Sequence, residues 1–353
     1  MTGTKDYGQE GHMKRMMLGN TGLEVNRLGL GGIPIQRVEE KEAVETVLHA
    51  IEQGVDFIDT SRAYGTSERR IGLALKQTDR RVVIASKSHN REAAGIRSDL
   101  EESLRQLQVE TIDLYQCHFV KDEADYEKVI APGGALESLR RAKKEGLIGH
   151  IGISSHSLDL FDRILDEGLF ETIMVCFSFL ERAAREKIIP KALEKGIGVI
   201  GMKPFSGGTI ENARLALKYV LSQPDILVIA GVEKKALFDE NWQVFQGSHA
   251  LTAQEEEEIE EIYNAHDKLF CRRCDYCQPC TEDIPIQAVM TLPTSVKRIG
   301  KGVMNIAWAK HAYEKAADCS ECGECMTRCP YDLPIPDLLK QKIAQTEKLL
   351  ESL

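Results

Sequence analysis

Residues 81–88 read RVVIASKS: four apolar residues in succession, three of them β-branched, closing on a lysine between two serines. A strand with one wet face alternates apolar and polar side chains. A run without alternation is a strand covered on both faces, as in a parallel sheet flanked by helices. The same kind of run recurs at 27–32 (RLGLGG), 57–61 (FIDTS), 111–119 (TIDLYQCHF), 148–155 (IGHIGISS), 172–180 (TIMVCFSFL), 196–204 (GIGVIGMKP) and 225–232 (DILVIAGV). Helix-patterned segments lie between them, among them EEKEAVETVLHAIEQG (39–54), SERRIGLALKQ (67–77), RSDLEESLRQLQ (97–108), GALESLRRAKKEG (134–146) and NARLALKYVLSQ (212–223). Gly54, Gly146, Gly168 and Gly196 stand where such helices should stop, the usual place of a left-handed cap residue. Eight β/α repeats predict an α/β fold, a (β/α)8 barrel rather than an open doubly wound sheet. MLGNTGLEV (17–25) predicts a hairpin turning at NTG and closing the barrel bottom. LTAQEEEEIEEIYNAH (251–266) predicts a last barrel helix starting at Thr252 with a T-x-x-E capping box. The alternation stops near 266. The expected division is a polar leader or cloning scar at 1–13, the barrel at 14–265, and a small, mainly helical cysteine-rich domain at 266–353 around the helix-like stretch SVKRIGKGVMNIAWAKHAYEKA (295–316).

Composition narrows the function. A formal charge of −10 argues against nucleic-acid binding, which is met mainly by lysine and arginine. No apolar run approaches the ~18 residues of a membrane span. Ten cysteines are many, and eight of them crowd into 271–329. Crowding of that kind suits metal or cluster ligation in a reducing compartment, so the expected location is cytoplasmic. Cys117 and Cys176, in apolar runs, read as small buried hydrophobes.

In barrel enzymes the chemistry sits at the C-terminal ends of the strands. Polar residues stand there: Asp59 ends the second run, with Tyr64 just beyond; Lys87 ends the third; His118 ends the fourth. Together they make a proton-transfer unit. A tyrosine has a pKa near 10, too high for an efficient acid at neutral pH. A nearby buried ammonium stabilises the phenolate and lowers that value. Lys87 is the candidate cation, Asp59 would hold it charged and oriented, His118 would place a carbonyl oxygen, and Tyr64 would protonate it. The long charged loop VKDEADYEKVIAPGG (120–134) is expected as a substrate-side rim or an ordinary surface loop.

GVDFIDTSRAYG, VVIASKS and IDLYQCHF resemble the tetrad segments of the aldo-keto reductases, with Asp59, Tyr64, Lys87 and His118 at the matching positions. The likeness runs from about residue 14 to 265. It implies an oxidoreductase that interconverts a small carbonyl compound and an alcohol with a nicotinamide cofactor. No G-x-G-x-x-G follows the first strand, so a Rossmann site is not expected. The loops after strands seven and eight, GMKPFSGGTIEN and AGVEKKALFDENW, are the alternative phosphate site; Lys203, Ser206, Gly207 and Gly208 offer charge, hydroxyl and open N–H groups. By resemblance, Ser154 and Ser155 fall where the family holds the carboxamide, Phe177 where a ring stacks on the nicotinamide, and Glu240 and Asn241 on the adenine side. Leu237 stands where many members have an arginine for the 2′-phosphate; Lys234 or Lys235 would substitute. By resemblance NADPH, the family's usual cofactor, is expected, and the leucine at 237 leaves NADH open.

The cysteines form a repeat. CRRCDYCQPCTEDIPI (271–286) and CSECGECMTRCPYDLPI (319–335) align with Cys280 on Cys329, Asp283 on Asp332 and Pro285 on Pro334. The C-terminal segment resembles the ferredoxin-type domain of one bacterial and archaeal branch of the family. Two four-cysteine motifs suit two [4Fe–4S] clusters, the fourth cysteine of each motif ligating the other cluster. One set is then Cys271, Cys274, Cys277 and Cys329, the other Cys319, Cys322, Cys325 and Cys280. Paired C-x2-C is also a zinc pattern, and disulfides are a third option; the triple C-x2-C-x2-C and the final Cys-Pro favour iron and sulfide. The clusters are expected either to staple the domain or to exchange electrons with a redox protein partner. The competing functional class is a nucleotide-sensing or electron-transfer subunit in which carbonyl turnover is incidental.

Overall fold

A computed structural model describes residues 15–353; the expected leader at 1–13 lies outside them. Two short strands, β1 (Arg15–Met17) and β2 (Glu24–Asn26), pair as an antiparallel hairpin. Eight parallel strands follow and close on themselves: β3 (Leu28–Gly31), β4 (Phe57–Asp59), β5 (Val83–Ser88), β6 (Ile112–Cys117), β7 (Ile148–Ser155), β8 (Thr172–Cys176), β9 (Gly198–Met202) and β10 (Leu227–Gly231), with β10 pairing β3. The unbroken apolar runs have the expected cause. Odd and even side chains of each strand enter two different apolar layers. Met174, Ile200, Leu227, Phe57, Ala85 and Leu114 fill the barrel interior together with Leu18 and Val25 of the hairpin. Ile173, Val175, Val199, Val228 and Ile84 pack outward under the helices. The hairpin plugs the N-terminal end: Asn20 donates to Gly196 O at 2.8 Å, and Gly19 lies so close to β9 that a side chain there would collide with the backbone of Gly198.

Around the sheet run α1 (Glu40–Gln53), α2 (Ser67–Leu75), α3 (Ala93–Leu107), α4 (Glu123–Ile130), α5 (Ala135–Lys144), α6 (Leu158–Glu167), α7 (Ile188–Glu194), α8 (Ala213–Leu221), α9 (Lys235–Gln246) and α10 (Ala253–His266). α10 begins with the reciprocal cap read from TAQE: Glu255 N donates to Thr252 Oγ1, and Thr252 N donates to the Glu255 carboxylate. It follows α9, which closes the eighth unit. The 120–134 segment is not an open rim. Asp122 caps α4 by accepting from Asp125 N, and Tyr126 and Val129 are buried beneath it.

The cysteine-rich segment has its own apolar core and four helices, α11 (Ile286–Ile299), α12 (Ala307–Lys315), the single turn α13 (Glu324–Thr327) and α14 (Ile335–Ser352). The 295–316 stretch is two helices rather than one. Gly300, at φ 79°, ends α11, and a 3-10 turn intervenes before α12. The sequence repeat is also a repeat of conformation. Asp283 and Asp332 both adopt positive φ (55° and 50°) and donate their amides to Cys280 O and Cys329 O, and Pro285 and Pro334 both open a helix.

Candidate active site and cysteine quartets

Sheet register brings the polar strand ends together. Asp59 pairs with Ala85, and Lys87 with Gln116, so the ends of β4, β5 and β6 converge on one side of the mouth. The Lys87 ammonium, 1% exposed, donates to the Asp59 carboxylate at 2.5 Å and to Thr60 O at 2.7 Å. It lies 4.8 Å from the centre of the Tyr64 ring. Burial alone would lower the Lys87 pKa, but Asp59 and then Tyr64 outweigh it and hold it above its ordinary value. At Asp59 burial is the larger influence and lifts the carboxyl above the usual range, against the pull of Lys87 and Gln116. Lys87, held above its ordinary value, is the protonated partner of the pair.

His118 meets the Tyr64 ring edge-on at 5.6 Å and stacks on His89 at 4.0 Å. Burial, then the charges of Lys87 and His89, put its pKa well below 6.5, so the ring is neutral. Its Nδ1 lies 3.0 Å from Ser61 Oγ. The other acceptor open to that hydroxyl, Lys87 O, already receives the Arg62 amide at 3.1 Å.

An open cleft of about 270 Å³ runs from this centre, lined among others by Asp59, Tyr64, Met174, Lys203, Gly207, Gly208, Gly231, Arg37 and Glu233. Gly207 and Gly208 take φ of 72° and 96°, a conformation a side chain would strain, and the Gly208 N–H donates to Phe205 O at 2.8 Å. Lys203 lies close to the reacting end. Its ammonium donates to His156 Nε2 at 2.7 Å, and His118 feels its charge. Ser206 is buried and bonds Ser178 Oγ at 2.7 Å. Ser154 and Ser155 lie at the end of β7, their hydroxyls accepting from Phe119 N and Ser157 N. Lys234 is exposed at the start of α9.

Two assignments drawn from resemblance are corrected. Phe177 does not line the cleft. Along β8 residues 174 and 176 point inward and 173 and 175 outward. Phe177 keeps the outward parity and packs fully buried against Tyr219 of α8, ring centres 5.8 Å apart. Glu240 and Asn241 line a separate outer cleft between α8 and α9 with Arg214 and Lys218, away from Tyr64. Arg37 and its 3.7 Å partner Glu233 were not anticipated, nor was His156. Their only sequence signal is a place on βα loops.

The cysteine-rich segment sits on this same rim. From the first cysteine loop, Arg273 donates to Glu181 beyond β8 at 2.5 Å, both groups buried. Tyr276 OH donates to the Asp159 carboxylate at 2.5 Å. On the cleft side α11 packs against the 3-10 turn Pro34–Arg37, and its Thr294 lies over Gly207. All eight cysteines of the repeat are free thiols. One cavity is walled by Cys271, Cys274, Cys277 and Cys329, another by Cys280, Cys319, Cys322 and Cys325. Among the described residues no three His, Cys, Asp or Glu side chains are gathered tightly enough to hold a single metal ion. Two arginines of the repeat have a buried Nε–H without a partner: Arg328, which lines the second cavity, and Arg273, next to Cys274 in sequence, which turns to Glu181 on the barrel.

The closed parallel barrel thus carries, at the C-terminal ends of its strands, a buried carboxylate–ammonium pair against a tyrosine and a neutral histidine. The profile of the Aldo/keto reductase family matches residues 27–214. The chain belongs to that family. It is 31% identical over 212 residues to L-galactose dehydrogenase of Arabidopsis thaliana, covering 55% of this chain and 66% of that one. It is 30% identical over 204 residues to the aldo-keto reductase YhdN of Bacillus subtilis, covering 52% and 60%. These matches thus span less than two thirds of the relatives' length. Among solved structures, the holo form of an aldo-keto reductase from Bacillus halodurans shares 26% identity with a TM-score of 0.61, covering 71% of this chain and 96% of that one. An enzyme from Klebsiella pneumoniae, solved with NADP and acetate, shares the fold at 21% identity and a TM-score of 0.61, with 71% and 96% covered.

Proposed function

We propose that this chain interconverts a small carbonyl compound and its alcohol with NADPH, NADH being the alternative, and holds two [4Fe–4S] clusters in its cysteine quartets. The observation that carries the first half is the Lys87 ammonium, buried between Asp59 and Tyr64 at the strand ends. When bound, the nicotinamide supplies a hydride. Lys87 stabilises the Tyr64 phenolate and so makes the phenol a usable acid. Tyr64 gives its proton to the carbonyl oxygen. For His118 to hold that oxygen it must carry its single proton on Nε2. Ser61 then donates to Nδ1, and the Arg62 amide keeps Lys87 O satisfied.

The cleft suits an anionic dinucleotide: glycines at 207 and 208 let a phosphate approach the backbone, Lys203 and Arg37 stand on its walls, and exposed Lys234 follows the lining residue Glu233 in the chain. With Phe177 turned outward, Met174 is the side chain offered to the nicotinamide ring, and Ser154 and Ser155 the hydroxyls nearest its carboxamide. Glu240 and Asn241 are left only for an adenine reaching round α9. Family membership supports this reading.

The clusters would be held by Cys271, Cys274, Cys277 and Cys329, and by Cys280, Cys319, Cys322 and Cys325. Each quartet walls a cavity instead of converging on a point, and this supports a multi-iron guest over zinc. A cluster takes one electron at a time, whereas hydride is a two-electron unit. A structural or separately wired role, served by a redox protein partner, is favoured over direct exchange with the nicotinamide. Anaerobic purification followed by a carbonyl and alcohol screen with both nicotinamides tests the whole. Turnover and about eight iron atoms per chain are expected. Nucleotide binding without turnover would favour the sensing subunit, and stoichiometric zinc without labile sulfide would remove the clusters.

A further inference from the structure

We propose that the Arg273–Glu181 ion pair tunes the barrel-side cluster: Arg273 raises its reduction potential, and Glu181, a residue of the barrel rim, restrains that effect. The inference rests on the two-cluster reading above. Arg273 lies two residues after Cys271 and next to Cys274, so its backbone is part of the loop that walls the inner quartet. That loop is held from both sides. Gln287 donates to Arg273 O at 2.6 Å, and the guanidinium bonds Glu181 at 2.5 Å. The guanidinium is buried, its Nε–H has no acceptor in the protein, and one oxygen of Glu181 is likewise buried and unpartnered. Cys271, a member of that quartet, lies within reach of the Arg273 charge.

Each reduction adds one electron, hence one negative charge, to one cluster. Net charge and hydrogen bonds to the sulfurs set the potential of such clusters. A buried cation is poorly screened, so Arg273 favours the reduced state, and the opposing carboxylate disfavours it. At the outer quartet the arginine is Arg328, which donates to Pro279 O rather than to a carboxylate. Glu282, Glu321, Glu324 and Arg328 line its cavity, and Cys322 is exposed, so solvent screens the charges there. Glu181 follows β8, whose last residue Cys176 lies, like His156, within reach of the Arg273 charge. The barrel rim therefore takes part in setting the redox poise of the domain above it.

The test is a dye-mediated titration of the anaerobically prepared full-length protein with dithionite, each cluster followed by its electron paramagnetic resonance signal. Iron and sulfide are assayed first. A protein without them fails the cluster reading itself and leaves no potential to tune. With both clusters present, Arg273→Gln should shift the reduction equilibrium of one cluster about tenfold toward the oxidised form, which is about 59 mV for a one-electron couple. Glu181→Gln should shift the same cluster the other way. Arg273→Lys should stay near wild type, and the second cluster should stay put in all three. A role in holding the loop would not produce shifts of opposite sign. If Arg273→Gln fails to load iron, the upward shift in Glu181→Gln decides. Unchanged potentials in the loaded variants, or shifts of the same sign, overturn the proposal.

Discussion

At Tyr64 one oxygen carries the proposed acid function, and its removal is the sharpest test at residue scale. Tyr64→Phe keeps the ring that packs edge-on against His118 and removes only the hydroxyl. Turnover should fall by roughly 10²–10⁴-fold, the usual worth of a positioned acid, with nucleotide binding nearly intact. Turnover within threefold of wild type would refute the role. His118 adds a pH test. Burial beside Lys87 holds it well below its ordinary 6.5, so it is neutral through physiological pH. The rate should show no inflection near pH 6.5. An acid limb there that vanishes in His118→Asn would show that the imidazole is charged in the working enzyme.

Elements are tied by single residues between them, and Glu171 is a clear case. It precedes β8 and receives Lys143 of α5 at 2.7 Å, His150 of β7 at 2.7 Å, and the Ile151 amide at 3.0 Å. Burial would raise its pKa, but His150, Lys143 and the amide bring it down to about 2. A depressed carboxyl stabilises the fold above its unfolded pKa, and that contribution is lost as pH falls through the folded one. Stability should therefore decline between about pH 4.5 and 2. Glu171→Gln should flatten this part of the curve of thermal midpoint against pH. An unchanged slope would deny the tie.

The whole molecule is a barrel with a second core seated on its catalytic rim. Cys325 belongs to both halves of the cysteine domain's logic: it walls the outer quartet and is packed in the same apolar cluster as Leu338 and Leu339. Ligand binding and folding are linked in such domains. Cys325→Ser should speed amide exchange in α11 and α14 by tenfold or more and leave β5 and β6 protected. Equal protection in α14 of variant and wild type would show that the outer quartet does not staple the domain.

What was local was legible. Eight unbroken apolar runs announced eight strands, since a residue's burial on both faces is written in its own side chain. The TAQE cap was read correctly because it lies within four successive residues. The cysteine repeat could be aligned by eye, and the crossed quartets were expected from the ferredoxin pattern, in which the fourth cysteine serves the other cluster. What failed was set at a distance or by a single step of parity. Phe177 sits one residue past the strand end, and outward parity sent its ring to Tyr219. Within the 120–134 segment, Glu123–Ile130 became a helix because an apolar floor was there to receive Tyr126 and Val129. Arg273 and Glu181 stand 92 positions apart, and nothing in either local sequence declares a partner. By itself the sequence determined the barrel, the strand-end residues and the two cysteine motifs, since each is encoded within a few adjacent positions. Only the tertiary structure decided that the cysteine domain rests on the catalytic mouth, because that depends on charge pairs and apolar faces that meet only once both cores have folded.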